Sequence, residues 1–229
     1  MQELDSRTTS YTTLAAGPDF RHEIEIKRSR FITVLRRAGD EESARDLVAV
    51  LRREFHDARH HCSAFVLGPD RDIQRSNDDG EPSGTAGLPM LEAILKRDTV
   101  PGVTNLSDVS AVVVRYFGGI LLGAGGLVRA YSESVSAALE RAPLVCRRRL
   151  RICSASVPHA GAGRLENDLR SAGFVMAETS YGASDTVLRL AIPDAPAEIT
   201  AATERILSLT AGKAALVPGG TEWIDVPLA

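Results

Sequence analysis

Three carboxylates, Asp78, Asp79 and Glu81, crowd into the run Arg75-Ser-Asn-Asp-Asp-Gly-Glu-Pro-Ser-Gly-Thr-Ala-Gly-Leu-Pro89. Acids this close can bind a hard cation through oxygen ligands, or hold a general acid or base whose pKa is raised by its neighbours. The spacing fits no calcium loop. The same residues also have a structural reading, in which Asp78-Asp79-Gly80 forms a tight turn and Ser83 or Thr85 caps the following helix. A contact to a ligand or partner through the acidic residues, Ser83 or Thr85 is the third reading.

A second glycine-rich run is Arg115-Tyr-Phe-Gly-Gly-Ile-Leu-Leu-Gly-Ala-Gly-Gly-Leu-Val-Arg129. Gly118, Gly119, Gly123, Gly125 and Gly126 leave backbone N–H groups free at a helix start, an arrangement that attracts anions such as phosphate, and Arg115 and Arg129 flank it. No named nucleotide loop fits. A Walker loop needs Gly-Lys-Ser/Thr, and the dinucleotide pattern fails because Val128 stands three residues after Gly125. The competing reading is that these glycines permit close helix–strand packing.

Other reactive side chains form no set. In His60-His61-Cys62, neighbours on a strand point to opposite faces, so only His60 and Cys62 can share a metal, and two ligands do not make a zinc site. His22, His56 and His159 have no spacing that recruits them. Cys62 reads as a buried, inert thiol, since no helix N-terminus activates it. Arg147, Arg149 and Arg151 line one face of a strand, either solvated or touching phosphates. No catalytic residue, metal or cofactor is assigned.

The elements that position these residues follow from periodicity. At 229 residues, 44% hydrophobic and 25% charged, the chain can bury a core as one large or two ordinary domains. A net charge of −3 argues against a wholesale polyanion binder, although seven arginines stand against two glutamates between Val109 and Arg151. The first residues lack a basic start followed by an apolar run, and no stretch approaches the roughly 18 apolar residues that span a bilayer, so a cytoplasmic protein is expected. Three cysteines without a disulfide framework weakly favour a reducing compartment.

Residues 1–20 read as a polar, loose lead-in. A hairpin around Arg28-Ser29 joins the strand of Ile24 and Ile26 to Phe31–Leu35. Asp40 caps a helix carrying Ala44, Leu47, Val48, Leu51 and Phe55. A strand at 61–67, a polar glycine-rich loop, and a helix presenting Leu88, Leu91, Ile94 and Leu95 come next. The apolar strand 110–117 reads as central and covered on both faces, and it precedes a helix with Leu127, Tyr131, Val135, Ala138 and Ala142 on one side. From Leu144 the order is strand, helix, strand, strand, helix, strand: the ferredoxin-like βαββαβ unit. Domains are therefore expected at 21–143 and 144–229. Both glycine-rich segments flank the first sheet, so they are expected to meet.

Asn77–Pro89 and Val112–Tyr131 closely resemble the two signature segments of the IMPACT (YigZ-like) family. Lys27-Arg-Ser-Arg-Phe-Ile32 and Ala58-Arg-His-His-Cys-Ser-Ala-Phe65 support the resemblance, which covers about residues 20 to 142, and the tail is similar to the family's bacterial C-terminal domain. Asn77 replaces a more usual serine, and Arg28 stands where a Lys-Ser pair is commoner. The resemblance implies an α+β protein: a ribosomal-protein-S-five-domain-two-like α/β sandwich, then a ferredoxin-like domain, both similar to domains of elongation factor G. It also implies a translation-linked regulatory or binding protein, with the ribosome, RNA or a translation-factor-related protein as partner. Eukaryotic relatives compete for an activator of a stress kinase through an additional N-terminal domain of their own, so that mechanism does not carry over whole. Two alternatives stay open: an enzyme acting on a phosphorylated or nucleotide-like small molecule through the acidic loop and glycine cradle, and an adaptor using the acidic loop.

Overall fold

The structure, a computed structural model, describes residues 8–228; residues 1–7 of the expected lead-in and residue 229 lie outside the described residues. Two compact units divide the chain, Met1–Cys146 with Pro227–Ala229, and Arg147–Val226.

The first unit contains β1 (Ser10–Leu14), β2 (Phe20–Ile26), β3 (Ser29–Arg37), α1 (Glu41–Glu54), β4 (His60–Leu67), β5 (Ile73–Asn77), α2 (Gly87–Leu95), β6 (Val109–Tyr116) and α3 (Ala124–Arg141). Its sheet runs β2-β3-β6-β4-β5, with antiparallel neighbours throughout. Strand alternation divides the side chains between two layers. Phe31, Leu35, Ala111 and Val113 face the core that holds Met90 and Ile94 of α2 and Tyr131 and Val135 of α3. On the other face Ile32, Val34, Val112 and Val114 pack under Leu47 and Leu51 of α1. β6 is apolar without a break because it is the central strand and both of its faces are covered. Asp40 caps α1 by accepting from the Ser43 N–H at 2.7 Å.

Two expectations are corrected. The lead-in contains a strand, β1, whose Tyr11, Thr12, Thr13 and Leu14 are buried. Its anchors are tertiary: the Tyr11 hydroxyl donates to the Asp108 carboxylate, and Thr12 bridges to Leu106 in parallel. The polar loop before the acidic residues holds β5, whose five residues are all exposed; an edge strand with no buried face leaves no apolar alternation to read.

The second unit follows β7 (Leu144–Pro158) with α4 (His159–Ser171), β8 (Val175–Tyr181), β9 (Asp185–Pro193), α5 (Pro196–Leu209) and β10 (Leu216–Val226). The strand order β10-β7-β9-β8 is that of a split βαββαβ unit. Leu165 and Leu169 of α4 and Ala202 and Ile206 of α5 share a core with Cys153, Ala155, Leu188 and Leu190 of the sheet. The fold class is α+β. Among the described residues no helix is long and apolar enough to cross a membrane.

Candidate functional site

The acidic loop between β5 and α2 is held by its own carboxylates. Asp78 Oδ1 accepts from the N–H groups of Ala86 at 3.0 Å and Gly87 at 2.8 Å, while Oδ2 accepts from Gly84 at 2.8 Å. A charge at these donors satisfies orphan groups of the α2 N-terminus and lies at the positive end of the helix dipole. Burial works against that charge, but the three N–H bonds outweigh it and hold the Asp78 carboxyl below its ordinary pKa.

Neither Ser83 nor Thr85 caps α2, contrary to the sequence reading. Ser83 is exposed, the Thr85 hydroxyl donates to the Pro82 carbonyl at 2.6 Å, and the cap position falls on Ala86. Asp78 does the capping from eight residues away because the loop folds back on itself. That fold needs Gly87: a Cβ there would stand 2.7 Å from the Asn77 backbone nitrogen.

Asp79 points the other way, and its carboxylate takes the His61 backbone N–H at 2.6 Å and the Arg52 guanidinium of α1. Its carbonyl accepts from His60 Nδ1 at 2.9 Å. His60 and Cys62 thus join the loop as structural partners, and among the described residues no three His, Cys, Asp or Glu side chains gather to hold a metal.

Glu81 turns inward, where its side chain is only 4% exposed and its Oε1 accepts from Arg115 at 2.6 Å and from the Tyr131 hydroxyl at 2.8 Å. The two glycine-rich segments therefore meet, through an acid from one and an arginine from the other, with α3 contributing the tyrosine. Arg115 lies over the rings of Phe31 at 5.5 Å and Phe117 at 5.7 Å. Cys62 Sγ lies 3.0 Å from the Asp78 carbonyl and 3.3 Å from the Tyr131 oxygen, so its S–H can donate to either. Burial pushes the Cys62 thiol up to about 12 and raises the Tyr131 phenol as well, leaving both protonated and unreactive near neutrality.

The glycine-rich run has a different character. Gly118 is a close-packing residue: its Cβ would stand 2.0 Å from the Arg28 carbonyl group, and its N–H donates to Ser29 Oγ at 3.2 Å. Beyond it the chain turns outward. Gly119, Gly123, Gly125 and Arg129 are exposed, Gly126 packs beside Leu122, and α3 starts after Gly123 with no side-chain cap. Around them Phe117, Ile120 and Leu121 are 50%, 41% and 84% exposed.

A family model described as the Impact N-terminal domain matches residues 27–139. The Bacillus subtilis (strain 168) protein named IMPACT family member YvyE is 40% identical over 216 residues, 94% of this chain and 94% of that one. This chain belongs to the IMPACT family. The Escherichia coli (strain K12) IMPACT family member YigZ is 49% identical over 119 residues, 51% of this chain and 55% of its own. A crystal structure of a hypothetical protein, 34% identical, superposes with a TM-score of 0.57 over 91% of this chain and 97% of that one.

Both signature segments of this IMPACT protein thus meet at the Glu81–Arg115 pair. The expectation that Arg115 flanks an anion as an open cation is corrected, because β6 buries it against Glu81. Of the two flanking arginines only Arg129 faces solvent. The sequence marked neither Tyr131 nor Arg52 as a site residue, while the expectation that Cys62 is a buried, inert thiol agrees with the structure. Tyr131 was legible only as a core position, and nothing local signals that its hydroxyl would find a carboxylate 50 residues away.

Proposed function

We propose that this IMPACT protein is a translation-linked regulatory binding protein that associates with the ribosome or its RNA. Family membership supports the translation-related part. The observation that carries the binding part is the division of labour in the signature segments. The charged groups Asp78, Asp79, Glu81 and Arg115 are tied to the protein's own donors and acceptors, forming a stiff base. On that base stands an exposed loop bearing Phe117, Ile120 and Leu121, followed by the uncapped start of α3 and by Arg129. Loops that carry binding groups on rigid scaffolds are the common vehicle of recognition. Free N–H groups at Gly123 to Gly126 with Arg129 suit phosphate oxygens, and the apolar residues suit a surface that excludes water.

The test is co-sedimentation of the purified chain with ribosomes and separate subunits across a salt series, comparing wild type with Leu121→Asp/Arg129→Ala. Salt-sensitive binding that the variant loses is the expected result. Absence of co-sedimentation at every salt concentration would overturn the reading. Arg115→Ala is a poor probe, because it breaks a buried pair before it changes any surface.

A further inference from the structure

An open groove of about 750 Å³ lies between α1 and β4–β5, lined among others by Arg45, Arg52, Arg53, His61, Phe65 and Arg75. Its floor follows from strand register. Phe65 is directly opposite Arg75 and Ser63 opposite Asn77, so these side chains share the α1 face of the sheet. α1 buries Ala44, Leu47 and Leu51, and the adjoining flank, at positions 45, 48, 49, 52 and 53, overlooks β4 and the edge strand β5.

The charge on this groove is positive. Four arginines meet two carboxylates: Glu41 bonds Arg45 at 2.6 Å and reaches Arg75 only at 3.8 Å, and Asp79 bonds Arg52. Arg53 has neither acid as a partner. Exposed pairs of this kind are weak enough to exchange for a competing anion. Arg45 and Arg52 stand two helical turns apart, roughly 10 Å at the helical rise, so they cannot converge on a single phosphate. Their spacing suits successive charges along a chain.

His61, 5% exposed, lies at the inner end of this groove, with the Leu51 and Phe55 carbonyls at the C-terminus of α1 beside its ring.

We propose that this groove is a track for the phosphodiester backbone of single-stranded RNA, read without base specificity. The proposal rests on the RNA-associated reading above and adds a surface built mainly from α1 and β5. Guanidinium forks match phosphate oxygens, and no exposed aromatic lines the groove to stack on bases.

The experiment is fluorescence anisotropy of a short labelled oligouridylate with the full chain over a salt series, comparing wild type with Arg53→Ala/Arg75→Ala. Both replaced side chains are exposed, and a thermal melt checks folding. The variant should bind on the order of tenfold more weakly, with a salt slope flatter by about 1.4, or about 0.7 per lost phosphate contact. The His61 imidazole resonance should shift on adding the same probe. Equal binding and equal slope in wild type and variant would overturn the groove while leaving RNA association standing. Ribosome co-sedimentation without oligouridylate binding would likewise sink the groove alone, whereas loss of both sinks both readings. Displacement of the probe by polyglutamate at matched charge would reassign the groove to an acidic protein, and an unmoved His61 resonance would also overturn the assignment.

Discussion

The acidic loop and the glycine-rich loop resemble one another as sequence: both are rich in glycine and both lead into a helix. In the fold they are opposites. The acidic loop spends its charges inward, on three backbone N–H groups, a strand amide, two arginines and a tyrosine. The glycine-rich loop past Gly118 leaves its apolar side chains in solvent. The lesson is that residue type does not reveal direction. The carboxylates, which look most like chemistry, serve as scaffold, while the hydrocarbon side chains form the presented surface.

The sharpest way to break this contrast is to remove one partner of the buried pair. Arg115→Ala leaves Glu81 charged, buried and half-bonded, and a loss of about 3–5 kcal/mol is expected in urea unfolding. A loss below about 1 kcal/mol would mean that the pair is not structural. Asp78→Ala comes next, at about 2–3 kcal/mol, because it strips three N–H groups of a charged acceptor at a helix start.

The Asp78 effect also has a sign in pH. Its folded pKa lies below the ordinary 3.8, so it adds stability above that value and loses it as pH falls through the folded pKa. The stability difference between wild type and Asp78→Asn should therefore be largest near neutrality and shrink in acid. A difference that grows on acidification would contradict the bonding described.

Tyr131→Phe removes one hydroxyl bond to a carboxylate and is expected to cost about 1.5–3 kcal/mol, within the range for hydrogen bonds to charged groups. It should leave the exposed loop untouched. Leu121→Asp should change stability by less than about 0.5 kcal/mol, since the side chain is 84% exposed, yet reduce ribosome co-sedimentation. Thiol labelling gives the smallest signal: Cys62 and Cys153 are buried, so Cys146 should react first in the native protein, and fast Cys62 labelling would contradict its burial.

Elements that burial or a helix cap marks locally were the legible ones. Asp40 before α1, the unbroken apolar run of β6, and the βαββαβ order after Leu144 each follow from a local pattern that burial enforces, and each appears in the structure. β1 and β5 escaped the reading for opposite reasons. β1 is buried through partners at Leu106 and Asp108, nearly a hundred residues away, and β5 buries nothing at all. The contact between the two glycine-rich segments was expected from their positions beside the sheet, but the orientation of Arg115 was not.

The sequence by itself determined the alternation of layers, the family signatures and the two-unit element order, because periodicity and turn chemistry act over neighbouring residues. Only the tertiary structure decided which charges face inward. Whether Glu81 meets a metal, a ligand or Arg115 depends on β6 and α3 arriving beside the acidic loop, and those approaches are set by the packing of Phe31 and Tyr131 at 5.3 Å and by the backbone clearances at Gly87 and Gly118. A carboxylate's role is settled by the nearest donor in space, and no local pattern encodes that donor.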